Sequence, residues 1–370
     1  MDVDAFNETS VATLVSADEM SFYFWFYKVT IPTLYGLIAV VGSVGNGMVI
    51  FVISSERKMR TTVNLLLLNL AFSDVLFLVV CVPFVAYHFA ADNWAFGDVP
   101  CKLSQFLLYV TVYVTMYTLV LVAVVRYLTI VFPRSSARWR TRRKVSCAIG
   151  AIWAVMLMGN LPTLLIYRVK LYPATGGGYE YPYYYCGVED KATGRRLFLP
   201  FFVLTYVLPL SVITTLYLLV LRFLRHNDAN SSARVKARRG NQATATPTST
   251  STPLDERTQH ATRILVVVVV IFAVCWLPLH AHLLFSYFTA QPQSRAYEVS
   301  RGLFHCLAYA NSCMNPIIYN YVSRDFRRSF RSIFAARCRW CARKPTTTPS
   351  EREALQTMDA HVTEPVFAVV

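Results

Sequence analysis

The chain alternates long apolar runs with short polar interruptions. The run that organises it lies between Cys101 and Pro133. No formally charged residue stands between Lys102 and Arg126. A helix rises about 1.5 Å per residue, so roughly twenty apolar residues cross a hydrocarbon core about 30 Å thick. Six more runs reach that length, at about 29–54, 62–90, 145–167, 197–224, 260–287 and 299–322. The pattern predicts an all-α membrane protein. A tail (1–28) precedes a seven-transmembrane helix bundle (29–322), and a polar tail (337–370) ends the chain. Between them, at 323–336, Arg324, Phe326, Arg328, Phe330, Arg331, Ile333 and Phe334 alternate charge and apolar bulk at helical spacing. That reads as a short amphipathic helix lying on the membrane surface. In the loop 168–196, the segments 169–172 and 183–186 flank Gly176, Gly177 and Gly178, so a β-hairpin is expected there.

Composition supports the membrane reading. The chain is 55% hydrophobic and 15% charged, with mean hydropathy +0.40. Soluble domains carry about 25% charged residues. The net charge of +15 would suggest nucleic acid on a soluble protein. Here the basic residues gather in alternate loops: Arg57 to Arg60, Arg134 to Lys144, and Arg234 to Arg239. The positive-inside rule then places those loops in the cytoplasm and the N-terminus outside a multi-pass plasma-membrane protein, with no nucleic-acid partner. No charged n-region precedes a cleavable apolar core, so the first span is expected to act as signal anchor. Residues 225–259 turn from basic to Thr/Ser/Pro-rich and are expected to be disordered. Asn7 heads a glycosylation sequon. Of nine cysteines, Cys101 and Cys186 are the two placed on the outer side, so a disulfide joins them in an oxidising compartment. Cys338 and Cys341 follow the amphipathic helix and are candidates for palmitoylation.

Polar groups inside the spans carry the chemistry. Asn46 sits among Gly42, Gly45 and Gly47, whose small size admits a neighbouring helix. Asp74 stands in mid-span, and Arg126 lies inside the apolar edge of its run. A charge at the bilayer centre costs about 2.5–3.5 kcal/mol on insertion scales, so each needs a function or a partner. Pro83 should kink the second span.

Taken in order, Gly45-Asn46, Leu70 to Asp74, Trp94-x-Phe96-Gly97, Cys101 with Cys186, Arg126-Tyr127, Trp153, Pro209, Cys275-Trp276-x-Pro278 and Asn315-Pro316-x-x-Tyr319 resemble the rhodopsin-like (class A) G-protein-coupled receptors over roughly 29–335. The resemblance implies roles. Asp74, Thr115, Asn311, Ser312 and Asn315 look like an allosteric sodium site, with no other cofactor. Trp276 above Pro278 resembles the toggle beneath the ligand. Arg126, Tyr127, Tyr217, Pro316 and Tyr319 resemble the switches that rearrange when the sixth span swings outward to admit a heterotrimeric G protein. Val125 replaces the acid that usually precedes the arginine. Arrestin and receptor kinases are further implied partners, with Thr346, Thr347, Thr348 and Ser350 available in the tail.

Absences narrow the ligand. The outer third span has Gln105, Leu108, Tyr109 and Val112 but no acid to hold an amine, and the seventh has no lysine for retinal. A peptide is favoured. The texture is closest to galanin and allatostatin-A receptors, with kisspeptin receptors nearby, and that group implies Gi/o coupling. Candidate contacts are His88, Gln105, Tyr109, His280, Leu283, Tyr287, Arg301 and His305. Each histidine reads equally well as a helix-packing residue. The alternatives are an orphan or constitutively active receptor, or a receptor for another peptide or small ligand. A transporter would show internal repeats. A membrane enzyme would show a catalytic cluster such as His-Glu-x-x-His. The sequence shows neither.

Overall fold

A computed structural model describes residues 21–22, 24–91, 93–172, 183–239, 253–289, 295–322 and 327–331. At 172, 183, 227–239, 253–265, 295, 298 and 319–322 it describes the backbone alone. Asn7, Cys338 and Cys341 lie outside the described residues, and so does the side chain of Tyr319.

Seven long helices follow the seven apolar runs. They are α1 (Phe24–Ser55), α2 (Thr62–Ala91), α3 (Asp98–Val131), α4 (Arg142–Ile166, opened by a turn at 160–162), α5 (Lys191–Phe202 continuing through Leu208–Arg239), α6 (Pro253–Phe288) and α7 (Arg295–Val322). The first six contain stretches long and apolar enough to cross a membrane. The seventh is more polar, because Asn311, Ser312 and Asn315 lie on it. It packs along both α6 and α1 and closes the ring. The third helix touches α2, α4, α5 and α6, so it is the axis of the bundle. Burial follows: 72% of the most apolar window of α3 is buried, against 11% for α4, which lies on the rim.

Three π-helical segments interrupt these helices: Phe24–Thr30, Phe77–Cys81 and Val203–Val207. Each ends two residues before a proline, at Pro32, Pro83 and Pro209. A proline offers no N–H, and its ring clashes with the carbonyl four residues back, here that of Lys28, Val79 or Thr205. Widening the preceding turn relieves the clash, so the kink expected at Pro83 takes the form of a π segment.

The hairpin pairs β1 (Arg168–Tyr172) with β2 (Tyr183–Gly187), antiparallel, with Val169 opposite Cys186. The disulfide from Cys101, at the top of α3, to Cys186 anchors it, with 5.5 Å between Cα atoms. Three hydrogen bonds add to the anchor: Trp94 N–H to the Tyr184 carbonyl (2.8 Å), Tyr184 N–H to Asn93 Oδ1 (2.8 Å), and Val169 N–H to Asp98 Oδ1 (2.9 Å).

The structure corrects several boundaries. Helix α1 begins at Phe24, inside the stretch read as tail, where Phe24, Trp25, Phe26 and Tyr27 pack ring against ring. The stretch 225–259 is not irregular throughout. Helix α5 runs to Arg239 and α6 begins at Pro253, which leaves 240–252 outside the described residues. A formed helix propagates at one hydrogen bond per residue, so a polar stretch rich in Arg and Ala continues it without an apolar face. Of the expected amphipathic helix only 327–331 is described, as helix, within a second compact unit (Arg324–Val370) distinct from Met1–Ser323. Gly42 and Gly45 do admit neighbours: a Cβ at Gly42 would meet Leu78 and Cys313, and one at Gly45 would stand 3.0 Å from Pro316. Gly47 faces open space.

Candidate functional site

Helices α2, α3 and α7 bring a polar core together in the middle of the bundle. Asp74, 2% exposed, accepts from Ser312 Oγ on one carboxylate oxygen and from Asn315 Nδ2 on the other, both at 2.9 Å. Asn46 Nδ2 donates to the carbonyls of Gly42 (2.9 Å) and Ser312 (2.8 Å), which fixes α1 to α7. Thr115 faces this core but shares a 3.0 Å hydrogen bond with Ser73 rather than with Asp74. Asn311 is buried one turn before Asn315. Among the described residues no basic side chain pairs with Asp74. A buried carboxylate without a cation is costly. Carboxylate, hydroxyl and amide oxygens are the ligands of a hard cation, so this donor set fits a sodium ion.

Beside it lies a second network. Asn69 Nδ2 donates to Thr118 Oγ1 and Asn69 Oδ1 accepts from Trp153 Nε1, both at 2.8 Å. One side chain of α2 thereby ties α3 to α4.

At the hairpin end a cavity of about 70 Å³ lies between α2, α3 and β2. His88 and Gln105 line it with Phe84, Trp94, Leu108 and Cys186. The other candidate contacts lie elsewhere. Tyr109 is buried, hydrogen-bonded to Tyr167 (3.0 Å) and edge-on to Phe201 (4.8 Å). Tyr287 stacks on Phe198 at 5.5 Å. His305 meets Tyr309 edge-on at 6.1 Å, Leu283 is half-buried, and Arg301 is exposed. His280, 1% exposed, sits in an aromatic cage of Phe198, Phe201, Phe202 and Tyr206 from α5 and Trp276 from α6, with ring centroids 4.9–6.1 Å away. Among the described residues neither of its ring nitrogens has a hydrogen-bond partner. Trp276 stacks on Phe272 at 5.6 Å, two residues before Pro278 within α6, and its indole N–H has no partner among the described residues.

At the opposite end Arg126 is half-buried and its enclosed Nε has no hydrogen-bond partner among the described residues. Tyr217 of α5, 8% exposed, is its electrostatic neighbour. Val125 beside it is 5% exposed. Tyr127 meets Phe132 edge-on at 5.9 Å. Pro316 is buried against Gly45.

Several members of these clusters carry no sequence signal of function. Tyr167 and His282 are of this kind. His282 stacks on Tyr297 at 4.6 Å, and Ser286 hydrogen-bonds the Tyr297 hydroxyl. The cage residues do have a signal. Phe198, Phe201, Phe202 and Tyr206 recur at helical spacing along α5, an aromatic stripe on one face.

The fold and its polar core define a multi-pass membrane protein built as a bundle of helices. The family model "7 transmembrane receptor (rhodopsin family)" matches residues 45–319, and the chain belongs to that family. It is a receptor, not an enzyme. It is 34% identical to the allatostatin-A receptor of Bombyx mori over 82% of this chain and 79% of the relative. It is 36% identical to human galanin receptor type 2 (83% and 73%), and 34% identical to G-protein coupled receptor 54 of Oreochromis niloticus (82% and 78%).

Proposed function

We propose that this receptor binds an extracellular peptide of the galanin or allatostatin-A kind at the hairpin end and passes the signal to a heterotrimeric G protein at the Arg126 end. The observation that carries the reading is the pair of relatives: receptors named for two different neuropeptides each match four-fifths of the chain. The chemistry of the hairpin end agrees. The cavity near His88 and Gln105 is apolar with few polar groups, the kind of site that takes a side chain and fixes it by one or two hydrogen bonds.

In this reading the N-terminus lies outside, at the plasma membrane. Outward movement of α6 about Pro278 is the bistable element that both ligands bias. Asp74 with Ser312, Asn315, Asn311 and Thr115 holds sodium in the resting state. The G protein is of the Gi/o class, and arrestin and receptor kinases act on the tail. The test is expression in cells followed by amidated galanin-type and allatostatin-A-type peptides, read by inhibition of cAMP and by calcium. A peptide response lost on pertussis-toxin treatment is expected. No response to either peptide class at verified surface expression would overturn the reading.

A further inference from the structure

The segment 134–144 holds six cations and no acid in eleven residues. Its own hydrogen bonds order it. Ser136 Oγ donates to the Leu128 carbonyl at 2.9 Å. Arg140 turns back, with Nε to Ser136 Oγ (2.9 Å), Nη1 to Thr129 Oγ1 (3.2 Å) and Nη2 to the Pro133 carbonyl (2.9 Å). The Arg140 carbonyl accepts from Thr62 Oγ1 at 3.2 Å, which ties the loop to the start of α2. One of the six cations is thus spent on structure. The other five, Arg134, Arg138, Arg142, Arg143 and Lys144, are exposed. No described acid pairs with any of them. Among them stands Trp139, 58% exposed, with Lys144 Nζ 4.0 Å and the Arg138 guanidinium carbon 5.8 Å from its ring centre. Three cations fill the first turn of α4, where the helix dipole already favours negative charge. Positive charge collected there is self-repelling until an anion arrives.

The position of the patch selects the anion. Helix α4 lies on the rim, with most of its apolar face uncovered by protein, so its first turn borders lipid. Exposed tryptophan beside lysine and arginine is the composition of a membrane–water interface, and runs of four to eight cations next to a span attract anionic headgroups. We propose that this ordered loop and the first turn of α4 are a docking surface for the phosphate headgroups of anionic membrane lipids. The guanidinium and ammonium groups hold the phosphates, and Trp139 seats at the headgroup level.

The test is native mass spectrometry of the purified full chain in micelles doped with phosphatidylcholine, phosphatidylserine or phosphatidylinositol bisphosphate, without agonist, so it does not depend on the peptide reading. The expected result is preferential retention of the bisphosphate lipid, falling at least about fivefold in Arg138→Gln/Arg142→Gln/Arg143→Gln/Lys144→Gln. It is kept in Arg138→Lys/Arg142→Lys/Arg143→Lys, which preserves the charge. On the unaltered chain, raising salt from about 0.05 to about 0.5 M should release the lipid, since screening shortens the reach of exposed charges. Equal retention by the native chain and the glutamine variant would overturn the proposal. So would insensitivity to salt, or equal competition by soluble inositol trisphosphate. A variant that keeps its lipid but loses G-protein activation would assign the surface to a protein partner instead.

Discussion

Val125→Asp should lower ligand-free signalling by about tenfold. Arg126 is half-buried, its enclosed Nε makes no hydrogen bond among the described residues, and its electrostatic neighbour is the Tyr217 hydroxyl, a weak partner for a guanidinium. Val125 is 5% exposed and offers no acceptor from its side chain. Its carbonyl accepts from Thr129 Oγ1 at 2.6 Å, and Thr129 in turn accepts from Arg140. A carboxylate at 125 would therefore stand beside one arginine and one turn from a hydroxyl already held by a second. A charge-assisted hydrogen bond contributes about 1.5–3 kcal/mol. Part of that offsets the desolvation of a buried acid. A net of about 1.4 kcal/mol in favour of the resting state shifts a two-state equilibrium tenfold. The assay is nucleotide exchange on purified G protein, or cellular cAMP, at matched surface expression and without peptide. Val125→Asn, which can hydrogen-bond but carries no charge, should give a smaller drop, and Val125→Leu none. Equal basal activity in the native and Val125→Asp receptors would refute the reasoning.

If sodium binds at Asp74, agonist binding to the native receptor should weaken as sodium rises and Asp74→Asn should abolish that effect; an unchanged sodium response in radioligand competition would count against the site. Replacing Cys101 and Cys186 by serine opens a loop of sequence separation 85 and should lower stability by about 2–5 kcal/mol, read as the thermal midpoint in detergent; an unshifted midpoint contradicts it. Asn69→Ala strands the Trp153 indole N–H and takes one donor from the Thr118 hydroxyl, which still donates to the Val114 carbonyl; it should cost about 1–2 kcal/mol by the same assay, whereas Trp153→Phe, which loses one bond, costs less. Hydrogen bonds from the Thr193 amide (2.8 Å) and hydroxyl (3.0 Å) hold the exposed Asp190 carboxyl below its ordinary range. This cap on α5 is present above the unfolded-state pKa and is lost as pH falls through the lower folded value. The protection factor of the Thr193 amide, its exchange rate taken relative to an unstructured amide at the same pH, should fall in acid and be low at all pH in Asp190→Ala.

Apolar length made all seven helices legible, α7 among them although Asn311, Ser312 and Asn315 lower its hydropathy. The hairpin was readable because β-branched and aromatic residues flank glycines. The reach of α5 to Arg239 was not, because helix propagation past a membrane edge leaves no apolar period. That Asp74 needs partners could be read from a charge in an apolar run, and the family resemblance named Ser312 and Asn315, which do hydrogen-bond it. Which hydroxyl takes which partner could not: Thr115 goes to Ser73 through tertiary packing that sequence spacing does not encode. Of the candidate contacts His88 and Gln105 line the cavity, while Tyr109, His280, Leu283, Tyr287, Arg301 and His305 lie apart from it on α3, α6 and α7 through tertiary packing that spacing does not encode; on α2 the direction of His88 also depends on helix phase past the π segment.

That phase dependence bears on the second helix. An α-helix advances about 100° per residue, so the surplus residue taken up in Phe77–Cys81 sets the azimuth of everything after it. Phe84, Val85 and His88, one wall of the cavity, are aimed by that extra residue rather than by their place in the apolar run. Straightening 77–81 to regular helix with every residue kept would rotate this wall by about 100°, whereas deleting one residue there would restore regular helix and leave the wall where it is, with Asp74 and the chain before it in place in both cases. Relatives that lack the proline corresponding to Pro83 would present a different face of the same sequence to their ligands. Gapless alignment of the two helix halves therefore compares side chains that do not share a direction.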